Sequence, residues 1–183
     1  EQIAQKVGGV DGIIGTRNWN DIIPLIERLC SFKRTPAKAF TLPAVCLSNE
    51  PIIMEAENIP RVAIQGQTAY LKIADGCRRS CAFCAIPSIQ CSLVSRSMER
   101  ILDDARQLQE QGVQEIILIA QDTTDYGSDL GLQDGLVQLL KALIAAVPSI
   151  PWIRVLYTFP GFLSDDLIEL MANQPQILPY LDM

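Results

Sequence analysis

The sequence contains no histidine, and this absence excludes several kinds of active site. Without imidazole there is no Ser-His-Asp triad, no Cys-His nucleophile pair and no histidine-ligated zinc or haem. Basic side chains are also in the minority, because 15 Lys and Arg stand against 21 Asp and Glu, giving a net charge of -6. Nucleic-acid binding relies on clustered Lys and Arg that neutralise phosphates, so this balance argues against direct nucleic-acid binding.

Long hydrophobic runs are absent as well. No apolar run approaches the roughly 20 residues that cross a bilayer, and no basic-then-apolar signal opens the chain, so we predict no membrane association and a cytoplasmic location. The 183 residues, 49% hydrophobic and 20% charged, suit one packed domain and a piece of another. Because the chain opens at Glu1 rather than Met, we interpret it as a fragment.

The chain divides into three regions by pattern. In residues 1–30, a short apolar run at 10–15 predicts a strand, and Asn20 with Pro24 in the first turn predicts a helix. Residues 31–67 are interrupted by prolines and are interpreted as a connecting segment. From residue 68 to residue 183 the pattern is regular.

This regular region alternates strand and helix patterns. Apolar runs predict strands at 68–74, 115–120 and 152–157, with a further strand from Leu178. Periodic apolar residues between and after them predict three helices, of which the first and third begin after Ser97 and Ser164. Such alternation predicts an α/β fold, with a parallel sheet and helical crossovers, whose chemistry lies at the C-terminal ends of the strands.

Three of the six cysteines lie close together, at Cys77, Cys81 and Cys84. Thiolates are soft ligands for iron, and three cysteines on a four-iron cluster leave one iron open, which is typical of a catalytic rather than an electron-transfer site. Arg78 and Arg79 between them predict positive charge that favours the thiolate form.

Two other interpretations of the cysteines stay open. One is a structural zinc site with Cys91 as the fourth ligand, and the other is three inert buried thiols, which an arginine-containing loop disfavours. Cys30, Cys46 and Cys91 are interpreted most simply as unliganded thiols.

The C-x₃-C-x₂-C spacing, with Phe83 before the last cysteine, resembles the signature loop of radical S-adenosylmethionine enzymes. Residues 69–77, 86–89, 95–97 and 119–127 resemble the methylthiotransferases of that group, and in particular the RimO type. After Ile89 the family usually has an Arg-Gly-Lys-like stretch, whereas this chain has Gln90, Cys91 and Ser92.

The resemblance implies a partial TIM-like (β/α) barrel over residues 68–183, preceded in residues 1–30 by the end of an N-terminal α/β domain. It also implies a 4Fe–4S cluster whose open iron binds S-adenosylmethionine, and a second cluster upstream that supplies sulfur. The implied reaction is methylthiolation at the β-carbon of an aspartate in ribosomal protein S-twelve, with a flavodoxin or ferredoxin as electron donor. A tRNA (isopentenyladenosine) methylthiotransferase, and a non-catalytic zinc- or cluster-binding domain, are the alternatives.

Seven site residues follow from these arguments. Cys77, Cys81 and Cys84 are predicted cluster ligands. Phe83 is predicted to pack near the adenine, with a plain core aromatic as the alternative. Gln121 and Asp122 follow the second regular strand and are predicted to contact S-adenosylmethionine, or else only to cap the loop. Arg154 lies within an apolar strand, so we predict that it faces the barrel interior, meets a carboxylate and contributes to cofactor binding, or else lies at an edge.

Overall fold

A computed structural model of the chain describes residues 6, 10–15, 21–33, 44–46, 62–90 and 92–183. These residues belong to two compact units, Glu1–Ile53 and Met54–Met183. Among the predicted features, the cap at Asn20, most of the connecting segment and Cys91 lie outside the described residues.

The first unit contains a parallel strand pair and one helix. Strand β1 (Gly12–Ile14) pairs with β2 (Ala44–Cys46), Gly12 lying opposite Ala44, and helix α1 (Ile22–Lys33) lies between them in the chain. The strand and the helix predicted in residues 1–30 are therefore confirmed. Strand β2 was not predicted, because three residues are too few to show a period.

The second unit carries a four-stranded sheet and its crossover helices. In chain order its elements are β3 (Val62–Gln65), β4 (Thr68–Lys72), β5 (Ala74–Asp75), α2 (Ile86–Ile89), β6 (Val94–Ser95), α3 (Met98–Glu110), β7 (Glu115–Ile119), α4 (Gly135–Ala146), β8 (Trp152–Val155) and α5 (Asp165–Asn173). The sheet order is β3-β4-β7-β8, and β5 pairs separately with β6.

Strands β4, β7 and β8 are parallel, with Thr68 opposite Glu115 and Glu115 opposite Trp152. Helices α3 and α4 make the two crossovers, so the predicted α/β fold with parallel strands is confirmed. Strand β3 is antiparallel to β4 and joins it through a tight turn at Gly66, whose φ of 62° is in the left-handed region that glycine adopts without strain.

The core lies on one face of the sheet. Alternate residues of β4 and β7, including Leu71, Ile116 and Leu118, are fully buried on the face that α3 and α4 cover. The helices contribute apolar residues at three- and four-residue spacing, among them Ile101, Leu108, Leu136, Leu140 and Leu143. Each fully buried leucine or isoleucine stabilises the fold by about 1.5–3 kcal/mol. The opposite face of the sheet carries Tyr70, Ile117 and Arg154 in register.

The strand predicted from Leu178 is not present in residues 178–183; only an isolated parallel bridge joins Ile177 to Ile153. The amide of Leu178 donates to the carbonyl of Ile153 at 2.9 Å, but Pro179 has no N–H with which to continue the ladder. Among the helices of the described residues, none is long and apolar enough to span a membrane.

Candidate metal and cofactor site

The three closely spaced cysteines lie on the loop that follows β5. Pairing of β5 with β6, Ala74 opposite Ser95, joins the two ends of the segment that holds this loop. Cys77, Cys81 and Cys84 are free thiols of intermediate exposure. The amide of Cys84 donates to the carbonyl of Cys81 at 3.1 Å, and the amide of Arg79 donates to Sγ of Cys77 at 3.4 Å.

The donor set of this loop fits an iron–sulfur cluster. A structural zinc ion is held by four ligands that converge on it. In a four-iron cluster each cysteine binds its own iron, so the three thiols need not converge on one point. The three thiols of this loop are free and partly exposed, and a backbone N–H is directed at one of the sulfurs. They could therefore each bind a separate iron of such a cluster.

Both arginines of the cysteine loop are bound by carboxylates of the segment that follows β7. Arg78 donates to Asp125 through Nε at 2.6 Å and Nη2 at 2.7 Å, and Arg79 donates from Nε to Oδ2 of Asp122 at 2.7 Å. The predicted local positive charge of Arg78 and Arg79 is therefore offset by these carboxylates, and its effect on the thiolate form stays a prediction. The observed contacts of the two arginines fix the position of the loop.

The pKa of Asp125 reflects this pairing. Burial of the carboxyl opposes its ionisation, but hydrogen bonds from Arg78 and Ser128 and the charges of Arg79 and Arg78 outweigh burial, so the pKa of Asp125 is lowered. The same contact raises the pKa of Arg78. Asp125 could not be identified as the partner from the sequence, because several carboxylates follow β7 at similar spacing.

Asp122 is almost fully buried and has several partners within the protein. Besides Arg79, its carboxylate accepts hydrogen bonds from the amide of Thr124, at 3.1 Å, and from the Thr124 hydroxyl. Asp122 thereby caps the 3₁₀ turn Thr123–Asp125. It is brought to the cysteine loop, as its position after the second regular strand suggested, but a contact with S-adenosylmethionine stays a prediction.

Two aromatic rings from the loop after β8 complete the surroundings of Arg79. Its guanidinium carbon lies 3.6 Å from the ring centroid of Phe162 and 5.0 Å from that of Phe159. The two rings meet edge to face, with centroids 5.6 Å apart. Sequence reasoning missed both phenylalanines, because a contact between loops leaves no periodic signal.

A cavity of about 400 Å³ opens at the ends of β4 and β7, lined by Lys72, Ile86, Ile119, Ala120, Gln121 and Tyr157. Nε2 of Gln121 donates to Oε1 of Gln90 at 2.8 Å, so Gln90 contacts a predicted site residue. Oε1 of Gln121 is buried and has no hydrogen-bond partner among the described residues. An unpaired buried acceptor beside a cavity is suited to a ligand that donates a hydrogen bond.

Tyr157 lines this cavity in an uncommon backbone conformation. Its φ of 60° is in the left-handed region, which costs a non-glycine residue about 1–3 kcal/mol. The conformation is held because the Tyr157 carbonyl accepts hydrogen bonds from the amide and the hydroxyl of Thr123, at 3.0 and 3.1 Å. Sequence analysis gave no indication of this residue.

The two remaining predicted site residues, Phe83 and Arg154, are not among the residues that line this cavity. Phe83 is on the cysteine loop with its side chain 93% exposed, so it is not a core aromatic in this structure. Arg154 meets the carboxylate of Glu115 at 2.7 Å and the ring of Tyr180 at 5.3 Å. Glu115 begins β7, whereas the cysteine loop contacts the segment after that strand, so Arg154 is directed away from the cysteines. Cofactor roles for Phe83 and Arg154 stay predictions.

Comparison with known proteins places these features in a family. A model described as the Radical SAM superfamily matches residues 71–183, which include the cysteine loop and strands β7 and β8. The ribosomal protein uS12 methylthiotransferase RimO of Roseiflexus sp. strain RS-1 is 42% identical over 189 residues, covering 96% of this chain and 39% of that protein. The same enzyme of Herpetosiphon aurantiacus is 52% identical over 120 residues, covering 65% of this chain and 26% of that protein.

A third relative, the uS12 methylthiotransferase RimO of Chloroflexus aurantiacus, is 42% identical over 183 residues, covering 97% of this chain and 40% of that protein. The chain spans about two fifths of the length of the Roseiflexus and Chloroflexus relatives. The radical S-adenosylmethionine methyltransferase TsrM of Kitasatospora setae is 17% identical, with a TM-score of 0.43 over 56% of this chain and 20% of that one. Because the family model covers more than half of the chain, the chain belongs to the radical SAM superfamily, and the three curated relatives named above are methylthiotransferases of the RimO type.

Proposed function

We propose that this chain carries the radical-generating part of a RimO-type methylthiotransferase. The proposal holds that Cys77, Cys81 and Cys84 bind a 4Fe–4S cluster and that S-adenosylmethionine binds beside it. The observation that carries it is the set of three free thiols on one loop, tied to the segment after β7 by two arginine–carboxylate pairs. When bound, the cluster supplies the electron that cleaves S-adenosylmethionine.

The chain's own residues bind and orient the two groups in this proposal. The thiols hold three irons, and the pairs Arg78–Asp125 and Arg79–Asp122 hold the loop that presents them. The cavity of about 400 Å³ is of a size that accommodates a small cofactor, and Ile86, which lines it, comes two residues after Cys84. The unpaired Oε1 of Gln121 is assigned to a hydrogen-bond donor of the bound cofactor.

The proposed substrate is an aspartate of ribosomal protein uS12, methylthiolated at its β-carbon. Support comes from the relatives, since those of Roseiflexus and Chloroflexus are both named as uS12 methylthiotransferases, and from the net charge of -6, which disfavours tRNA as the alternative substrate. We propose that a flavodoxin or ferredoxin supplies the electron, that a second cluster held outside these residues supplies sulfur, and that the protein is cytoplasmic.

The cluster assignment is tested by anaerobic reconstitution with iron and sulfide. The wild-type chain should turn brown and take up about four irons and four sulfides per chain. Cys77→Ala, Cys81→Ala and Cys84→Ala should each lose this cluster, whereas Cys30→Ala, at an exposed thiol of α1, should keep it. A colourless protein that binds zinc instead, or full cluster in Cys81→Ala, would contradict the assignment.

The reaction is tested with the reconstituted chain, S-adenosylmethionine and a strong reductant. We expect slow release of 5′-deoxyadenosine without any mass change in uS12, because sulfur insertion needs the second cluster. Mass spectrometry of uS12 and of tRNA incubated in parallel reads out the product. A methylthio group added to uS12 by these 183 residues would show that the sulfur source lies within them, and one added to tRNA would favour the alternative.

A further inference from the structure

We propose that Arg79 is a positioning residue that ties three loops together at the proposed cluster, and this inference rests on the proposed function. The three loops are the cysteine loop itself, the segment 121–130 after β7, and the segment 156–163 after β8. The role lies in the planar guanidinium of Arg79 and not only in its charge.

Arg79 contacts both other loops at once. Its Nε donates to Asp122, whose side chain is 2% exposed, while its guanidinium lies on the Phe162 ring at 3.6 Å. The Arg79 side chain is itself 15% exposed, so these contacts are largely shielded from water. A charged hydrogen bond and a cation–π contact at one partly buried group are each stronger than at the surface.

The two partners of Arg79 are also joined to each other. The carboxylate of Asp122 accepts from the Thr124 hydroxyl, and Oγ1 of Thr124 accepts from the amide of Phe159 at 3.4 Å. Phe159 in turn meets Phe162 edge to face. The contacts therefore form a closed circuit from Arg79 through Asp122, Thr124 and the two rings back to Arg79. Within this circuit each of the three loops contacts both of the others.

This circuit reaches a proposed cluster ligand through the backbone. The amide of Arg79 donates to Sγ of Cys77, so holding the Arg79 side chain also holds the N–H that is directed at the sulfur. Hydrogen bonds to cluster sulfurs adjust the reduction potential, and groups that orient metal ligands affect metal affinity about 10–100-fold. Arg79 is thus placed to influence the cluster without ligating it.

Lysine cannot replace arginine in this arrangement. The guanidinium presents a flat face to Phe162 while its edge donates to Asp122, whereas an ammonium is a compact point charge on a flexible stem. Arg78 provides the matched comparison within the same loop. It forms a two-point contact with Asp125 and also donates to Ser128, but it makes no ring contact among the described residues.

The first test uses the full chain without any cluster, so that it is independent of iron binding. Hydrogen exchange measured by mass spectrometry should be about five- to tenfold faster in residues 156–163 of Arg79→Met and of Arg79→Lys than in wild type, since both variants lose the flat guanidinium that lies on Phe162. Arg78→Met should leave residues 156–163 within about twofold of wild type and accelerate only 121–130. Equal effects of Arg78→Met and Arg79→Met on 156–163 would overturn the proposal.

The second test uses the reconstituted chain. Arg79→Met and Arg79→Lys should both lose iron to a chelator about tenfold faster than wild type and should show a shifted electron paramagnetic resonance spectrum of the reduced cluster. Wild-type iron retention and spectrum in Arg79→Lys would show that only the charge matters and would overturn the positioning role. If the wild-type chain binds no cluster, the proposed function fails, while the exchange experiment still decides whether Arg79 ties the loops.

Discussion

Arg96 donates from Nη2 to Oδ2 of Asp104 at 2.8 Å, in a pair whose side chains are 5% and 12% exposed. Arg96 also donates from Nη1 to the Lys72 carbonyl at 2.8 Å, and its own carbonyl accepts the Tyr126 hydroxyl at 3.0 Å. One buried arginine therefore connects the end of β4, helix α3 and the segment after β7. These are the elements that support the cysteine loop, so the site rests on a polar contact within the core.

Replacing Arg96 should destabilise the protein strongly. Arg96→Met leaves Asp104 buried without its partner, and breaking a buried pair from one side costs about 3–5 kcal/mol in the free energy of unfolding. The control is Arg106→Met, in the pair with Asp103 whose side chains are 50% and 56% exposed, where we expect less than about 1 kcal/mol. Urea unfolding followed by circular dichroism measures both. Similar losses in the two variants would contradict the buried role of Arg96.

The stability of the protein should fall at alkaline pH because of Tyr126. Burial raises the pKa of Tyr126 to about 12, with Arg96 opposing the shift and Asp129 adding to it. Since the folded state holds the phenol proton more tightly than the unfolded state, this contribution is complete below about pH 10 and is lost as the pH rises towards 12.

The control for this effect is Tyr126→Phe, which has no phenol proton to lose. The free energy of unfolding of wild type, relative to Tyr126→Phe, should decrease by about 2 kcal/mol between pH 9 and pH 11.5. Urea titrations at a series of pH values give the difference directly. A difference that stays constant over that range would show that Tyr126 is not protected from ionisation.

The exposed ring of Phe83 should matter for binding but not for folding. Because the side chain is 93% exposed, Phe83→Ser should change the free energy of unfolding by less than about 0.5 kcal/mol. If the ring packs against the adenine, affinity of the reconstituted chain for S-adenosylmethionine should fall about three- to tenfold, as measured by calorimetry. Ile168→Ser, at a half-exposed apolar residue of α5, is the control and should leave the affinity for S-adenosylmethionine unchanged. Unchanged affinity of Phe83→Ser for S-adenosylmethionine would contradict the predicted contact between Phe83 and the adenine.

The parallel strands could be predicted because burial imposes a pattern on the sequence. Strand β7 has burial on three successive residues, Ile116 to Leu118, and reads in the sequence as a near-continuous apolar run. Strand β3 could not be predicted in the same way, because three of its four residues are exposed and its existence depends on pairing with β4. An exposed strand that pairs with a single neighbour has no alternating apolar pattern by which its sequence could be recognised.

The candidate site likewise has features that local sequence predicts and features that depend on tertiary contacts. The spacing of the cysteines and the position of Gln121 and Asp122 after a strand are properties of local sequence, so they could be identified without coordinates. The contacts of Arg79 with Asp122 and Phe162 join residues 43 or more positions apart, on loops whose conformations are set by turns and by the left-handed Tyr157. Such contacts are decided by tertiary packing rather than by any local preference.

The hairpin of β3 and β4 has a consequence for the order of folding. Its two strands are joined by a two-residue turn, whereas pairing Thr68 with Glu115 brings together residues 47 positions apart. Hairpins form in about 1–10 μs, while closing a long crossover loop is slower because more chain entropy is lost first. Gly66→Ala strains the turn, so we expect it to slow refolding in stopped-flow experiments more than it speeds unfolding. A larger effect on the unfolding rate than on the refolding rate would show that the hairpin forms late. The carbonyl of Gln67 in that turn accepts the amides of Gln114 and Glu115, so an early hairpin would already present the acceptor at which β7 begins.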